Sequence, residues 1–384
     1  AVPWTLLIAS PAVALVVKGI DNLFFQQMLD TMETRVRERN YLLTLVKVPH
    51  WADEVEEAIK FVDEELIAGV IFLGGSFSHE AYAFERLHAP FVMSTVSRLN
   101  KVPDALYSSV SVDDAFEAEK AVRHLIELGH TRIAVLGVPS TDVSVGAQRV
   151  TGYRHALAHA GIPVDEDLIR FEVLDQGNPY TLQYGYELAK KLLAERPEVT
   201  AIFAITDVLA IGAMRAIREA GLKVPENISL VGFDGLPLGD FMDPQLTTLA
   251  QPAQQIARLT CDLLFDQIAS GPSRHVFVPG TLHRGGSTGP VRTIRALVSS
   301  RLGPDSSIHQ TLSWIATLIL ANLIFVGLAV PVFTAGPGLL VTALVCARLI
   351  DSESTAILPA LRSALGGAGV AASLLFLGEI AFAL

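Results

Sequence analysis

Carboxylates, amides and one guanidinium recur in this sequence just past short apolar runs, a combination suited to binding a hydroxyl-rich ligand. The positions are Asn22 with Phe24, Ser76 in Gly74-Gly75-Ser76, Asp142 with Gln148 and Arg149, Thr206-Asp207, Asp234-Gly235, and Gln251. A hydroxyl is donor and acceptor at once, so a planar Asp, Asn or Arg engages neighbouring hydroxyls in pairs. The C–H face of a sugar ring lies against an aromatic such as Phe24. Each residue also has a plain structural reading. Asp207, like Asp113 and Asp114, reads as a helix N-cap. Phe24 and Phe25 read as core, Asp234 as a turn residue with Gly235, and Arg149 as the partner of a surface acid. Their joint occurrence at strand ends is what carries the functional reading.

Catalytic signatures do not accompany these residues. There is no G-x-x-x-x-G-K-[ST] loop, G-x-G-x-x-G turn, G-x-S-x-G elbow or H-E-x-x-H helix, and the ten histidines do not cluster at ligand spacing. The two cysteines, Cys261 and Cys346, are far apart and form neither a disulfide framework nor a thiol metal site. Binding without catalysis is therefore favoured, with no metal and no cofactor. An enzyme acting on carbohydrate would need two carboxylates flanking the sugar at about 5 to 9.5 Å, and Asp207 with Asp234 is the available pair. A net charge of -11 argues against an extended basic surface for nucleic acid.

The elements that must position these groups alternate regularly. Gly69–Leu73, Arg132–Gly137, Thr200–Ile205 and Ser229–Phe233 are apolar runs of strand length, separated by segments of helical spacing. Helices are predicted over Phe25–Arg39, Ala52–Glu65, Asp114–Leu128, Ala147–Ala160, Thr181–Glu195 and Asp207–Ala220. Ala12–Val17 reads as a first buried strand rather than as the remnant of a signal peptide, because no basic segment precedes it. The order describes an α/β protein of repeated βαβ units, arranged as two doubly wound parallel-sheet lobes. In such sheets ligands sit beyond the carboxyl ends of the strands.

The chain has 384 residues, 51% of them apolar, and a positive mean hydropathy, which is too greasy for one uniform soluble protein. After Pro304 the only charged residues are Asp305, Arg348, Asp351, Glu353, Arg362 and Glu379, and residues 306–347 hold none. Leu312–Phe333 is long enough to span a hydrocarbon core of about 30 Å as a helix. Residues 312–384 thus read as a membrane segment of two or three helices, after a linker at 290–311. Arg292, Arg295 and Arg301 before the first span, with Arg348 and Arg362 after the second, place the soluble part on the cytoplasmic side of the cell membrane.

Six ordered motifs carry a family resemblance. Asp21-Asn-Leu-Phe-Phe25, His124–Ile133, Arg149–Leu157, Ala204–Ala213, Val224–Gly235 and Asp243–Pro252 look like the effector-binding core of the lactose/galactose repressor family over residues 12–289. The resemblance implies a periplasmic-binding-protein-like fold of two lobes joined by three crossovers. The implied lobes are 12–109 with 242–272, and 110–241 with 273–289. It also implies a sugar or related effector in the cleft and a homodimer. Effector contacts would include Asn22, Phe24, Arg149, Asp207, Asp234 and Gln251, with Ser76 and Thr206 beside them. Two positions depart from the family pattern: Gly19 replaces a common acid, and Thr206 a common Asn. Family members begin with a helix-turn-helix headpiece, and no recognition helix is legible before the first predicted strand. Asn322–Ala343 is similar to the opening of the YesL-like family of small integral membrane proteins, associated with carbohydrate uptake, over residues 309–384. The combined expectation is a sugar-responsive transcriptional regulator core with a membrane tail, binding DNA only through a headpiece. The alternative is a membrane-anchored sugar receptor of an uptake system.

Overall fold

The runs read as strands share one property: apolar residues follow one another without alternation, as a parallel strand covered on both faces requires. A computed structural model describes residues 11–291, apart from 21, 50, 65, 76–77, 140–143 and 175–176. In chain order its first part is β1 (Ala12–Lys18), α1 (Leu23–Glu38), β2 (Leu42–Val48), α2 (Glu54–Glu64), β3 (Ile67–Leu73), α3 (Ala81–Glu85), β4 (Phe91–Ser94) and β5 (Ser108–Ser111). There follow α4 (Asp114–Glu127), β6 (Ile133–Leu136), α5 (Val145–His159), β7 (Ile169–Arg170), α6 (Leu182–Glu195), β8 (Ala201–Ala204), α7 (Asp207–Glu219) and β9 (Ser229–Asp234). The last elements are β10 (Thr247–Ala250), α8 (Ala253–Ile268), β11 (His275–Phe277) and β12 (Thr281–His283).

The strands form two six-stranded sheets, ordered β11-β5-β4-β3-β1-β2 and β12-β10-β9-β8-β6-β7. All recorded pairs are parallel except β10 with β12. Three crossovers join the lobes, at 112–113, 251–252 and 278–280. Two of the expected lobe boundaries are corrected here. β10, expected in the first lobe, pairs in parallel with β9 in the second sheet. β11, expected in the second lobe, pairs with β5 in the first. The polar, Gly- and Pro-containing stretch after β9 reads as an interlobe connection, but it folds as a 3-10 turn, Pro237–Phe241, that returns the chain to its own sheet. The true crossover comes one strand later and leads into α8, which packs on α1, β3, β4 and β5.

Close helix packing in the second lobe depends on glycines. A Cβ on Gly212 of α7 would lie 2.1 Å from the Leu182 carbonyl of α6, and one on Gly185 of α6 would lie 2.3 Å from the Leu209 carbonyl of α7. The end of the described chain is tied to the same lobe by His130. Its Nδ1 is 2.9 Å from Thr200 Oγ1, and its Nε2 lies 3.0 Å from Ser229 Oγ and 2.9 Å from the Gly289 carbonyl. Among the described residues no helix is long and apolar enough to cross a membrane. The expected membrane segment 312–384, the linker beyond Val291, Ser76 and Asp142 lie outside the described residues.

Candidate functional site

The carboxyl ends of both sheets face one cleft of about 230 Å³. From the first lobe it is lined by Lys18 and Gly19 after β1, Asn22, Phe24 and Phe25 at the start of α1, Gly74 and Gly75 after β3, and Thr95 and Val96 after β4. From the second come Ser144, Val145 and Arg149 of α5, Asn178 and Tyr180, Thr206 after β8, Asp234 at the end of β9 and Gln251 after β10.

Local chemistry orients each group. The Asn22 side chain caps α1 by accepting from the Phe24 amide at 3.0 Å, which sets the two Phe rings at the cleft with centroids 6.3 Å apart. Thr206 caps α7 by accepting from the Leu209 amide, and Ser144 caps α5 and reaches the Tyr180 hydroxyl at 2.8 Å. Two lining residues other than glycine have positive φ, Thr95 at 67° and Asp234 at 113°. Backbone strain of this kind costs about 1–3 kcal/mol and persists only where surrounding contacts enforce it.

The centre of the site is Arg149, 4% exposed. Its Nε donates to Asp114 Oδ1 at 2.8 Å, and its Nη1 donates to Asp234 Oδ1 at 3.0 Å and to the Ile205 carbonyl at 2.7 Å. The guanidinium lies 3.8 Å above the Phe233 ring. Gln251 Nε2 donates to the same Asp234 oxygen at 2.8 Å. Burial pushes Asp114 up to about 6 even though the Arg149 charge and hydrogen bond oppose it, and burial likewise raises Asp234 against Arg149 and Gln251. Burial works against the charge on Arg149, but Asp234 and Asp114 outweigh it and keep the guanidinium protonated.

Of the residues singled out in the sequence, Asn22, Phe24, Arg149, Thr206, Asp234 and Gln251 come together at the cleft. Asp207 does not. It is fully buried beneath the cleft, accepting from the Thr248 hydroxyl at 2.6 Å and the Leu236 amide at 2.7 Å. Burial, reinforced by the nearby Asp234, pushes its carboxyl up to about 8. Nor does Asp207 cap its helix, since Thr206 does so. Asp207 and Asp234 therefore do not form a carboxylate pair flanking a ligand. Asp114, read only as a cap, is instead the inward partner of Arg149, while Asp113 caps α4. Lys18, Thr95, Ser144, Asn178 and Tyr180 were missed. The strand-end rule applied to Lys18 and Thr95 would have found those two, but nothing in the pattern marks Tyr180, which stands in an irregular segment.

Asp53, Glu54 and His79 are the one group among the described residues whose ligating atoms converge as a metal would require. The positive charge facing Glu54 is the Lys18 ammonium, 2.7 Å away.

Comparison with known proteins agrees with this architecture. A periplasmic binding protein-like domain family matches residues 122–288. The chain is 36% identical over 269 residues to the HTH-type transcriptional regulator MalR of Clostridium butyricum, covering 69% of this chain and 78% of that protein. The chain belongs to the lactose/galactose repressor (LacI) family of transcriptional regulators. The HTH-type transcriptional repressor CytR of Escherichia coli is 31% identical over 260 residues, covering 67% of this chain and 73% of its own. Among solved structures, a transcriptional regulator CelR–cellobiose complex superposes with a TM-score of 0.63 at 27% identity, over 72% of this chain and 84% of that one. A LacI family regulator from Enterococcus faecium with bound ribose gives 0.61 at 25% identity, over 73% of this chain and all of that one. Membership of the LacI family makes the chain a regulator and not an enzyme.

Proposed function

We propose that this LacI-family chain senses a small neutral sugar in the cleft between its lobes. The observation that carries the reading is the buried Arg149–Asp234–Gln251 net opposite the Phe24 and Phe25 rings. It sets paired donors and acceptors against an apolar face, as a sugar ring requires. The ligands of two similar structures, cellobiose and ribose, support the same class. Asn22, Phe24, Arg149, Thr206, Asp234 and Gln251 contact the sugar, while Asp207 acts from below by holding Thr248 and Leu236. Binding favours one angle between the lobes, because a ligand shifts such an equilibrium only by its differential affinity for the two states.

Calorimetry of the chain with cellobiose, D-ribose, D-glucose and D-galactose tests the reading, alongside Asp234→Asn. At least one sugar should bind the wild type, and the variant should bind it at least tenfold more weakly. Absence of binding by all four, or equal binding by the variant, would overturn the assignment.

Regulation passes through a homodimer. Leu42, 59% exposed, and Leu45 lie on the edge strand β2, and Leu238 and Phe241, the latter 86% exposed, project from the other lobe. Such patches are what a second copy covers. Sedimentation should give twice the monomer mass, and a monomer at micromolar concentration would refute this. DNA is reached through a headpiece of the kind for which the HTH-type relatives are named. A membrane tether at residues 312–384 rests on the uncharged stretch 306–347 alone, and it would hold the sensor at the cytoplasmic face. Recovery of the full chain in a membrane pellet after a carbonate wash tests that tether.

A further inference from the structure

One part of the cleft wall stands outside the Arg149 net. Lys18 ends β1 and lines the cleft. Its Nζ donates to Glu54 Oε2 at 2.7 Å, and the other oxygen of the same carboxylate is 2.9 Å from His79 Nε2. Glu54 opens α2 and is 1% exposed. It is sealed by the backbone of Gly75, where a Cβ would stand 2.9 Å from Glu54 Oε1. The ammonium thus has a fixed anchor behind it. An ammonium carries three N–H donors, and one is given to Glu54.

Each described cation around the cleft has a carboxylate partner. Lys18 faces Glu54, and Arg149 faces Asp114 and Asp234. Among the described residues no cation at the wall is left without a carboxylate, so the arrangement does not call for an anionic ligand. It offers a charge-assisted donor to an uncharged oxygen.

We propose that Lys18 is a specificity-determining residue that reads one hydroxyl of an uncharged sugar and rejects phosphorylated or acidic ones, with Glu54 and His79 as the residues that position it. The proposal rests on the reading of the cleft as a sugar site. Removing Glu54's charge would leave Lys18 unbalanced and turn the same wall toward anions.

The test is calorimetry of the full chain with the four neutral sugars above, with deoxy analogues of the best of them, and with D-glucose 6-phosphate. Lys18→Met should weaken the best neutral sugar by about 10- to 100-fold, as expected for one hydrogen bond to a charged group. The same variant should match the wild type on the deoxy analogue that lacks the hydroxyl read by Lys18. Glu54→Gln should raise the preference for D-glucose 6-phosphate over D-glucose at least tenfold. The double variant Lys18→Met/Glu54→Gln removes both charges together and preserves the fold should either single change unfold the protein. It should lose affinity for the neutral sugar and gain none for the phosphate. A wild type that binds no neutral sugar overturns the sugar reading and this proposal with it. A wild type that binds, with Lys18→Met and the double variant binding every sugar equally well, overturns the role of Lys18 alone.

Discussion

Removing the guanidinium of Arg149 is the sharpest perturbation available to this protein. Arg149→Met keeps most of the side-chain volume on α5 but leaves Asp114 and Asp234, both buried, without their cation. Breaking a buried pair from one side costs about 3–5 kcal/mol. For a folded unit of this size that corresponds to a fall in Tm of roughly 6–10 °C, at about 2 °C per kcal/mol. The loss must also depend on pH. Asp114 already sits at about 6 with Arg149 beside it, and losing an adjacent cation moves a carboxyl up by a further ~1–3 units. An acid whose folded pKa lies above its unfolded value stabilises the fold while protonated, and that contribution is lost as pH rises through the folded value. At pH 5 the Asp114 carboxyl of the variant is therefore protonated and the penalty is smaller. At pH 8 the fold must either ionise it in an apolar site or hold it neutral, so the deficit should grow by about 2 kcal/mol or more. Urea unfolding of wild type and Arg149→Met at both pH values reads this directly, with Arg149→Lys as the variant that retains the charge. A deficit equal at pH 5 and pH 8, or below about 1 kcal/mol at pH 8, would refute the account of the site as a buried net held together by the Arg149 charge.

Three further outcomes follow from geometry already described. Asp207→Asn replaces a carboxyl held at about 8 with a neutral amide of the same shape. Relative to that variant, the wild type should lose roughly 1.4 kcal/mol per pH unit between pH 5 and 8 and level off above, because the folded value exceeds the unfolded one; a difference that does not change with pH in thermal melts would sink the idea. Gly212→Ala drives a methyl against the α6 backbone and should cost about 1–3 kcal/mol or more in chemical denaturation while sparing sugar affinity; a neutral effect would mean that α6 and α7 can separate freely. His130→Ala unties the Gly289 carbonyl and the Ser229 hydroxyl, and hydrogen exchange at the Gly289 and Val291 amides should quicken at least tenfold, whereas unchanged protection would show that β12 alone holds the end.

Most of the architecture was legible because a parallel strand advertises itself as an unbroken apolar run and a helix by its spacing. The expected helix Asp114–Leu128 and the observed Asp114–Glu127 differ by one residue. The crossovers were less legible, since a polar turn that returns to its own sheet looks in sequence like one that leaves it. The site shows the same division. Asp113-Asp114 and Thr206-Asp207 have one local form, in which the first residue caps the helix and the second turns inward. Nothing along the chain says that Asp114 meets Arg149 while Asp207 meets Thr248, because those partners are set by which strands become neighbours. Tyr180 joins the cleft through an irregular segment that no periodicity describes.

The Arg149 net lies where the chain passes from one lobe to the other. Asp114 follows the first crossover directly and Gln251 opens the second, and both are tied through Arg149 and Asp234. The groups that would register an occupant are thus mounted on the fulcrum. A displacement too small to notice at that point is multiplied by the length of each lobe, as with any lever loaded close to its pivot, and emerges as a sweep at the outer strands. On the proposed reading, occupancy would need no relay through the core to change the angle between the lobes, and substitutions at these crossovers should alter sensitivity and mechanical gain together.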